Sequence, residues 1–271
     1  MSPGGPIQST TKSFHALGRT WSDESSTSGV SMPFLEAEDK RIFYQVIGSG
    51  EPLIMIHGVA TDSRYWCDIP QFLSTKYMAV TYDQRGHGQS YAPPTGYSYR
   101  DHVNDLKWLI KELGFKKVTF VAHSAGGAIA VKFALQHPES IKAVVLEAPH
   151  IVGYREYTDW PNVYRTARVI DIDQAKIQWE SFRLFDRLRK GSPQRELFLE
   201  CLRDFSGKVW TDPEAARYVD ESDLKLLDNL TQPALLLCGR DDLDFLPLAK
   251  LVNARLTNGA LFEIPDCGHM I

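Results

Sequence analysis

Short runs of consecutive apolar residues recur along the chain from residue 33 onward, with segments of helical spacing between them. Most of these runs do not alternate apolar with polar positions, so the strands that they predict are buried on both faces, as in a parallel sheet covered by helices. The predicted strands occupy residues 34–38, 42–47, 52–56, 78–82, 118–122, 143–146, 234–238 and 260–265.

Two helices are predicted between these strands. The first has apolar residues at positions 103, 106, 109, 110 and 113 and ends at Gly114, a residue typical of helix C-termini. The second is an Ala-rich segment at residues 125–135 that ends before Pro138. Strand–helix alternation predicts an α/β fold, in which an open, mostly parallel, twisted sheet is flanked by helices.

Residues 151–228 interrupt this alternation with helical periodicity, many aromatic residues and a basic cluster at Arg183, Arg187, Arg189 and Lys190. We predict a helical insertion here, so that the core consists of residues 33–150 and 229–271. Residues 1–32 contain 18 Ser, Thr, Gly and Pro residues and show no period of either helix or strand. They are predicted to be a disordered polar tail, with organelle targeting as the alternative.

Composition excludes several classes of function. The formal net charge of −4 argues against a dedicated nucleic-acid-binding protein, which needs a cationic surface to meet phosphates. No apolar run approaches the roughly 20 residues of a membrane-spanning helix. The four cysteines are widely spaced, without the spacing of a zinc site or a disulfide framework, and this favours a reducing, cytoplasmic location. Oligomeric state is not indicated.

The strongest chemical signal is a serine between a predicted strand and a predicted helix, in Ala122-His123-Ser124-Ala125-Gly126. This strand–turn–helix context is that of a nucleophile elbow, which presents a serine hydroxyl above the edge of a sheet. The turn is tight, so small residues are needed two positions before and two after the serine. The usual pattern is Gly-x-Ser-x-Gly, and here Ala122 stands at the first glycine position. An ordinary helix N-cap is the competing interpretation of Ser124.

A second signal is the segment His57-Gly58-Val59-Ala60, which follows the buried run at 52–56. A backbone N–H just after such a strand is able to face a substrate oxygen. We expect the N–H groups of Val59 and Ala125 to form a two-donor oxyanion hole.

Taken together, the motifs resemble the α/β-hydrolase superfamily over residues 33–271. The matching segments are His57-Gly58, the glycine-rich loop from Asp83 to Ser90, the Ser124 elbow, Gly239-Arg240-Asp241-Asp242 and Cys267-Gly268-His269. The resemblance implies that 151–228 is a helical cap over the active site.

The resemblance also implies a triad in the chain order nucleophile, acid, base. Ser124 is then the nucleophile and His269, in the loop after the last strand, is the base. Three carboxylates follow the strand at 234–238, and the family position selects Asp242 over Asp241 and Asp244. Glu147, after the preceding sheet strand, is the alternative acid.

The expected chemistry is hydrolysis of a small or medium apolar ester, lactone or related acyl compound through an acyl-enzyme. It requires neither a metal nor an organic cofactor. A C–C bond hydrolase uses the same triad and is not distinguished from an esterase. A slow or non-catalytic binding protein or receptor, or a cofactor-free lyase, would also carry these motifs, because one fold hosts several functions.

One departure from the family is expected to matter. Family members continue past the base with a helix that packs on the sheet, whereas this sequence stops two residues after His269. We expect apolar sheet and helix surface to be exposed there, and the loop that carries the base to be weakly anchored.

Overall fold

A computed structural model describes residues 33–154, 160–215 and 222–270. The tail predicted at residues 1–32 lies outside this part of the chain, as do short stretches of the predicted insertion. The described strands are β1 Phe34–Ala37, β2 Lys40–Ile47, β3 Glu51–Ile56, β4 Tyr77–Tyr82, β5 Val118–His123, β6 Ile141–Glu147, β7 Ala234–Gly239 and β8 Gly259–Ile264.

These strands form one sheet in the order β1-β2-β4-β3-β5-β6-β7-β8. The β1–β2 and β2–β4 pairs are antiparallel, and the other neighbours are parallel. The mostly parallel sheet flanked by helices confirms the predicted fold class. Because parallel strands run in one direction, the carboxyl ends of β3, β5, β6, β7 and β8 meet at a single edge, where α/β folds place their ligands.

The α-helices are α1 Ile69–Leu73, α2 Tyr99–Glu112, α3 Ala125–Gln136, α4 Trp160–Val169, α5 Ile172–Glu180, α6 Pro193–Asp204, α7 Lys208–Thr211 and α8 Leu246–Arg255. Both predicted core helices are present as α2 and α3. Helix α2 begins four residues before its first predicted apolar position. Ser98 and Asp101 form a reciprocal capping box there, which fixes the start independently of the apolar pattern.

Helices α4 to α7 lie between β6 and β7 in the chain, within the predicted insertion. Their shared core is aromatic: the ring of Trp179 lies 5.5 Å from that of Trp160, 5.8 Å from that of Phe185 and 5.7 Å from that of Trp210. Trp160 also lies 6.0 Å from Phe245 at the start of α8, so the insertion is packed on the core.

The outer strands carry exposed apolar side chains. Phe262 on β8 is 59% exposed and Leu235 on β7 is 39% exposed. Both residues face the same side of the sheet, because Phe262 is opposite Leu237 and Leu237 shares a face with Leu235. None of the helices in the described ranges combines the length and apolar character that crossing a membrane requires.

Candidate active site

Ser124 occupies a strained turn between β5 and α3. Its φ of 51° and ψ of −118° lie in a region that L-residues rarely adopt. Three backbone hydrogen bonds hold this conformation. The Ser124 N–H donates to the Glu147 carbonyl at 2.9 Å, and the Ser124 carbonyl accepts from the N–H groups of Gly127 and His150, each at 2.9 Å.

Small residues around Ser124 are required by close backbone contacts. A Cβ at Gly126 would lie 2.3 Å from the carbonyl oxygen of Ile56 and 2.6 Å from that of His57. A Cβ at Gly58 would lie 3.2 Å from Cβ of Ser124. Ala122, in place of the usual glycine, is fully buried, so its methyl group is accommodated.

The structure brings together the three residues that the sequence proposes as a triad. The Ser124 hydroxyl lies 3.0 Å from Nε2 of His269, and Nδ1 of His269 lies 2.7 Å from Oδ2 of Asp242. The second carboxylate oxygen, Oδ1, accepts from the Phe245 N–H at 3.1 Å. Because an ionised carboxylate only accepts hydrogen bonds, Nδ1 of His269 carries the proton, and Nε2 is left to accept the serine proton.

The competing carboxylates have other partners. Asp241 pairs with Arg187, and Asp244 pairs with Arg183. Glu147 accepts from the Tyr65 hydroxyl and lies 3.4 Å from Nδ1 of His123.

Val59 and Ala125, whose N–H groups are the expected oxyanion donors, both line one small cavity of about 30 Å³. Ala125 is the first residue of α3, where a backbone N–H has no acceptor within the helix. Val59 follows Gly58, whose backbone lies against Ser124. The arrangement is therefore compatible with an oxyanion on this side of the serine.

Neutral histidines brace the loops around this cavity. Nδ1 of His57 donates to the Gly58 carbonyl at 2.8 Å, while Nε2 accepts from the Gln84 N–H at 3.0 Å. Both ring nitrogens are thus occupied, and burial lowers the pKa of His57. The His57 side chain therefore braces the loop, and neither of its nitrogens is left free to transfer a proton.

His87 has a similar role that the sequence does not predict. Its Nε2 accepts from the Ala60 N–H at 3.2 Å, and its Nδ1 donates to the Arg85 carbonyl at 3.0 Å. Burial lowers the pKa of His87 to about 3. The sequence indicates only that His87 belongs to the Asp83–Ser90 loop. It does not indicate the contact with Ala60, because the two residues are 27 positions apart in the chain.

The sequence also gives no indication of a cluster formed by Tyr65, Glu147 and His123. The Tyr65 ring stacks on that of His123 at 4.4 Å, and His123 lies 4.9 Å from the ring of His269. The cluster therefore packs beside the proposed base. No motif around Tyr65 predicts this contact.

The cavity is lined mainly by aromatic and aliphatic side chains. They come from the core and from the insertion, and include Tyr97, Tyr99, Trp160, Tyr164 and Val209. None of the described residues that line it is an Asp, Glu, Lys or Arg. Nor does the described part of the chain hold a group of three or more His, Cys, Asp or Glu residues arranged for a metal ion.

Comparison with known proteins places the chain in a family. The family model described as "alpha/beta hydrolase fold" matches residues 51–271. The chain belongs to this family. Within the α/β-hydrolase family, an esterase from Exiguobacterium antarcticum has a similar structure, with a TM-score of 0.77 at 24% identity over 87% of this chain and 91% of that one.

Two relatives are similar to this chain in sequence. A putative 2-succinyl-6-hydroxy-2,4-cyclohexadiene-1-carboxylate synthase from Bacillus subtilis is 24% identical over 236 residues, covering 82% of this chain and 85% of the relative. An uncharacterized protein from Mycobacterium tuberculosis is 31% identical over 116 residues, which is 43% of this chain. That match spans about a third of the mycobacterial protein, 34% of its length.

Proposed function

We propose that this α/β hydrolase is a serine hydrolase in which Ser124, His269 and Asp242 form the catalytic triad. The observation that carries the proposal is the continuous pair of hydrogen bonds from Ser124 to His269 to Asp242, at 3.0 and 2.7 Å. The serine and the histidine lie 145 residues apart in the chain. If Ser124 were only an ordinary helix N-cap, it would not need hydrogen bonds to a histidine and an aspartate from distant parts of the chain.

The proposed reaction begins when the Ser124 oxygen attacks the substrate carbonyl carbon and its proton passes to Nε2 of His269. Asp242 stabilises the resulting imidazolium, and the N–H groups of Val59 and Ala125 bind the carbonyl oxygen as it becomes an oxyanion. The imidazolium then gives its proton to the leaving alcohol, and the acyl-enzyme remains. Water, deprotonated by His269, attacks the acyl carbon, and the imidazolium returns this proton to the Ser124 oxygen as the acid is released.

The lining of the cavity supports an uncharged, apolar substrate. Its aromatic and aliphatic surface favours apolar groups, and its histidines are neutral because burial lowers the pKa of His87 and of His102. A charged substrate group would meet no counter-ion among the described lining residues. Small or medium esters and lactones fit this chemistry, and a C–C bond next to a ketone would be cleaved by the same groups.

We also propose that the insertion acts as a cap. Trp160, Tyr164 and Val209 line the same cavity as Val59 and Ala125, so the insertion covers the two residues expected to supply the oxyanion donors. A cavity of about 30 Å³ has room for roughly one water molecule. An ester does not fit into this space, so we propose that the insertion moves away from the sheet when substrate binds there.

All four cysteines are free, which supports the reducing, cytoplasmic location proposed for the protein.

The proposal is tested with a fluorophosphonate probe and a chromogenic ester such as p-nitrophenyl butyrate. We expect one probe molecule per chain, located at the Ser124 peptide by mass spectrometry. Ser124→Ala should abolish both labelling and at least about 99.9% of ester turnover, while the circular dichroism spectrum stays unchanged. Ser181→Ala, which removes a hydroxyl from an exposed serine of the insertion, is the matched control and should retain both.

Two outcomes would point to a different function. Ligand binding without labelling of Ser124 would indicate a binding protein. Turnover that persists in Ser124→Ala would indicate a lyase that does not form an acyl-enzyme; the synthase name of the Bacillus subtilis relative makes this the second candidate.

A further inference from the structure

Two arginines of the insertion pair with the aspartates on either side of Asp242. Nε of Arg183 donates to Oδ2 of Asp244 at 2.8 Å, and a second guanidinium nitrogen contacts Oδ1, so this pair is bidentate. Arg187 pairs with Asp241. The basic cluster of the sequence thus contributes two ion pairs to the loop that carries Asp242.

Arg187 also contacts the loop that carries His269. A Cβ built on Gly268 would lie 2.9 Å from Cγ of Arg187 and 3.1 Å from its Cβ, so the aliphatic stem of Arg187 lies directly on the Gly268 backbone. Gly268 immediately precedes His269. Arg187 is therefore in contact with both loops: through its guanidinium with the acid loop and through its stem with the base loop.

The two loops are joined to each other by their backbones. The Arg240 N–H donates to the Ile264 carbonyl, and the Asp241 N–H donates to the Cys267 carbonyl, each at 2.9 Å. A displacement of Asp241 is thus transmitted to Cys267, two residues before His269.

Arg187 also lies beside the Asp242–His269 pair. Asp242 and His269 are each only 3% exposed, although both belong to loops at the surface. Both residues line a cavity of about 150 Å³, and Arg183, Leu184 and Arg187 line the same cavity. The arginine segment therefore lies next to the Asp242–His269 pair.

We infer that Arg187 is a positioning residue of the proposed triad, which fastens the acid and base loops to the insertion. The inference rests on the proposed function. An exposed ion pair by itself stabilises a protein little. The Arg187–Asp241 pair acts instead on the positions of the catalytic groups, which must be held to within about 0.5 Å. The planar guanidinium of arginine also fixes the direction of its hydrogen bonds, which the ammonium group of lysine does not.

The test compares Arg187→Ala with Arg189→Ala, which removes an equal charge from an exposed residue two positions away. We expect Arg187→Ala to lower kcat for the chromogenic ester about tenfold with KM changed less than twofold, and Arg187→Lys to recover only part of the loss. Arg189→Ala should retain the wild-type kcat. Circular dichroism and the thermal midpoint establish that each variant is folded.

Reversing the charges of the Arg187–Asp241 pair distinguishes a positioning role of this pair from a general destabilisation of the fold. Arg187→Asp and Asp241→Arg should each lower kcat at least tenfold, and the double variant should recover at least half of the loss on a logarithmic scale. Hydrogen exchange of residues 265–270 should be faster in Arg187→Ala than in Arg189→Ala.

Equal kcat values for the two alanine variants, or a loss confined to KM, would overturn the inference. So would a double variant no better than its parents. Failure of the proposed function is recognised separately, because in that case the fluorophosphonate would not label Ser124 of the wild-type protein.

Discussion

At the residue scale, the environment of each carboxylate separates the proposed catalytic acid from its neighbours. Asp242 directs one oxygen to His269 and the other to a backbone N–H, whereas Asp241 and Asp244 face arginines. Glu147, at the end of the adjacent strand, is engaged by Tyr65. Among these four carboxylates, Asp242 therefore has the geometry to select the tautomer of His269.

We expect Asp242→Asn to lower kcat/KM for the ester by about 10³ to 10⁴, because the uncharged amide does not stabilise the imidazolium and its NH2 group, by donating to Nδ1, holds the wrong tautomer of His269. Asp244→Asn should lower it by less than about tenfold, since Asp244 pairs with Arg183 and not with His269. Glu147→Gln is the second matched variant, with a similarly small expected effect. Steady-state kinetics at neutral pH make the comparison, and a larger effect for Glu147→Gln would reassign the acid.

At the scale of elements, the insertion has its own aromatic core around Trp179. This side chain is 3% exposed and its ring lies within 6 Å of the rings of Trp160, Phe182, Phe185 and Trp210. Within the described part of the insertion, four aromatic residues thus pack around Trp179, and Trp160 and Tyr164 also line the cavity. Helical periodicity predicts the helices, but it does not determine which aromatic side chains face the serine.

Trp179→Ala should lower the free energy of unfolding by about 3 to 5 kcal/mol, because it leaves a large cavity among the surrounding rings. Ile177→Ala, on the same helix but 60% exposed, should change it by less than about 0.5 kcal/mol. Urea denaturation followed by tryptophan fluorescence and circular dichroism measures both. Similar values for the two variants would contradict the packing described for the insertion.

At the scale of the whole molecule, several histidines are buried without charge beneath the insertion. Burial lowers the pKa of His87 and of His150 to about 3, whereas an imidazole in an unfolded chain titrates near 6.5. Between these two values the unfolded chain binds more protons than the folded one. Stability is therefore full above about pH 6.5 and is lost as the pH falls.

Each such histidine should cost about 2 kcal/mol of the free energy of unfolding at pH 5 relative to pH 7. Urea denaturation at pH 7, 6 and 5 measures this loss. The variant His150→Gln should reduce the slope by about 1.4 kcal/mol per pH unit below pH 6, because glutamine does not titrate. A slope identical to that of the wild type would show that His150 is protonated in the folded protein.

The sequence by itself determined the strands, the helices α2 and α3, the turn at Ser124 and the family, because these depend on local patterns and on small residues at fixed offsets. The tertiary structure decided that Asp242, which the resemblance only implies as the acid, lies in hydrogen-bond contact with His269, that His87 braces the oxyanion side, and that Arg187 lies on Gly268. These contacts join residues at least 27 positions apart in the chain, and their geometry depends on how the strands are ordered and how the insertion packs on the sheet. Residue types and spacing along one chain do not carry that information.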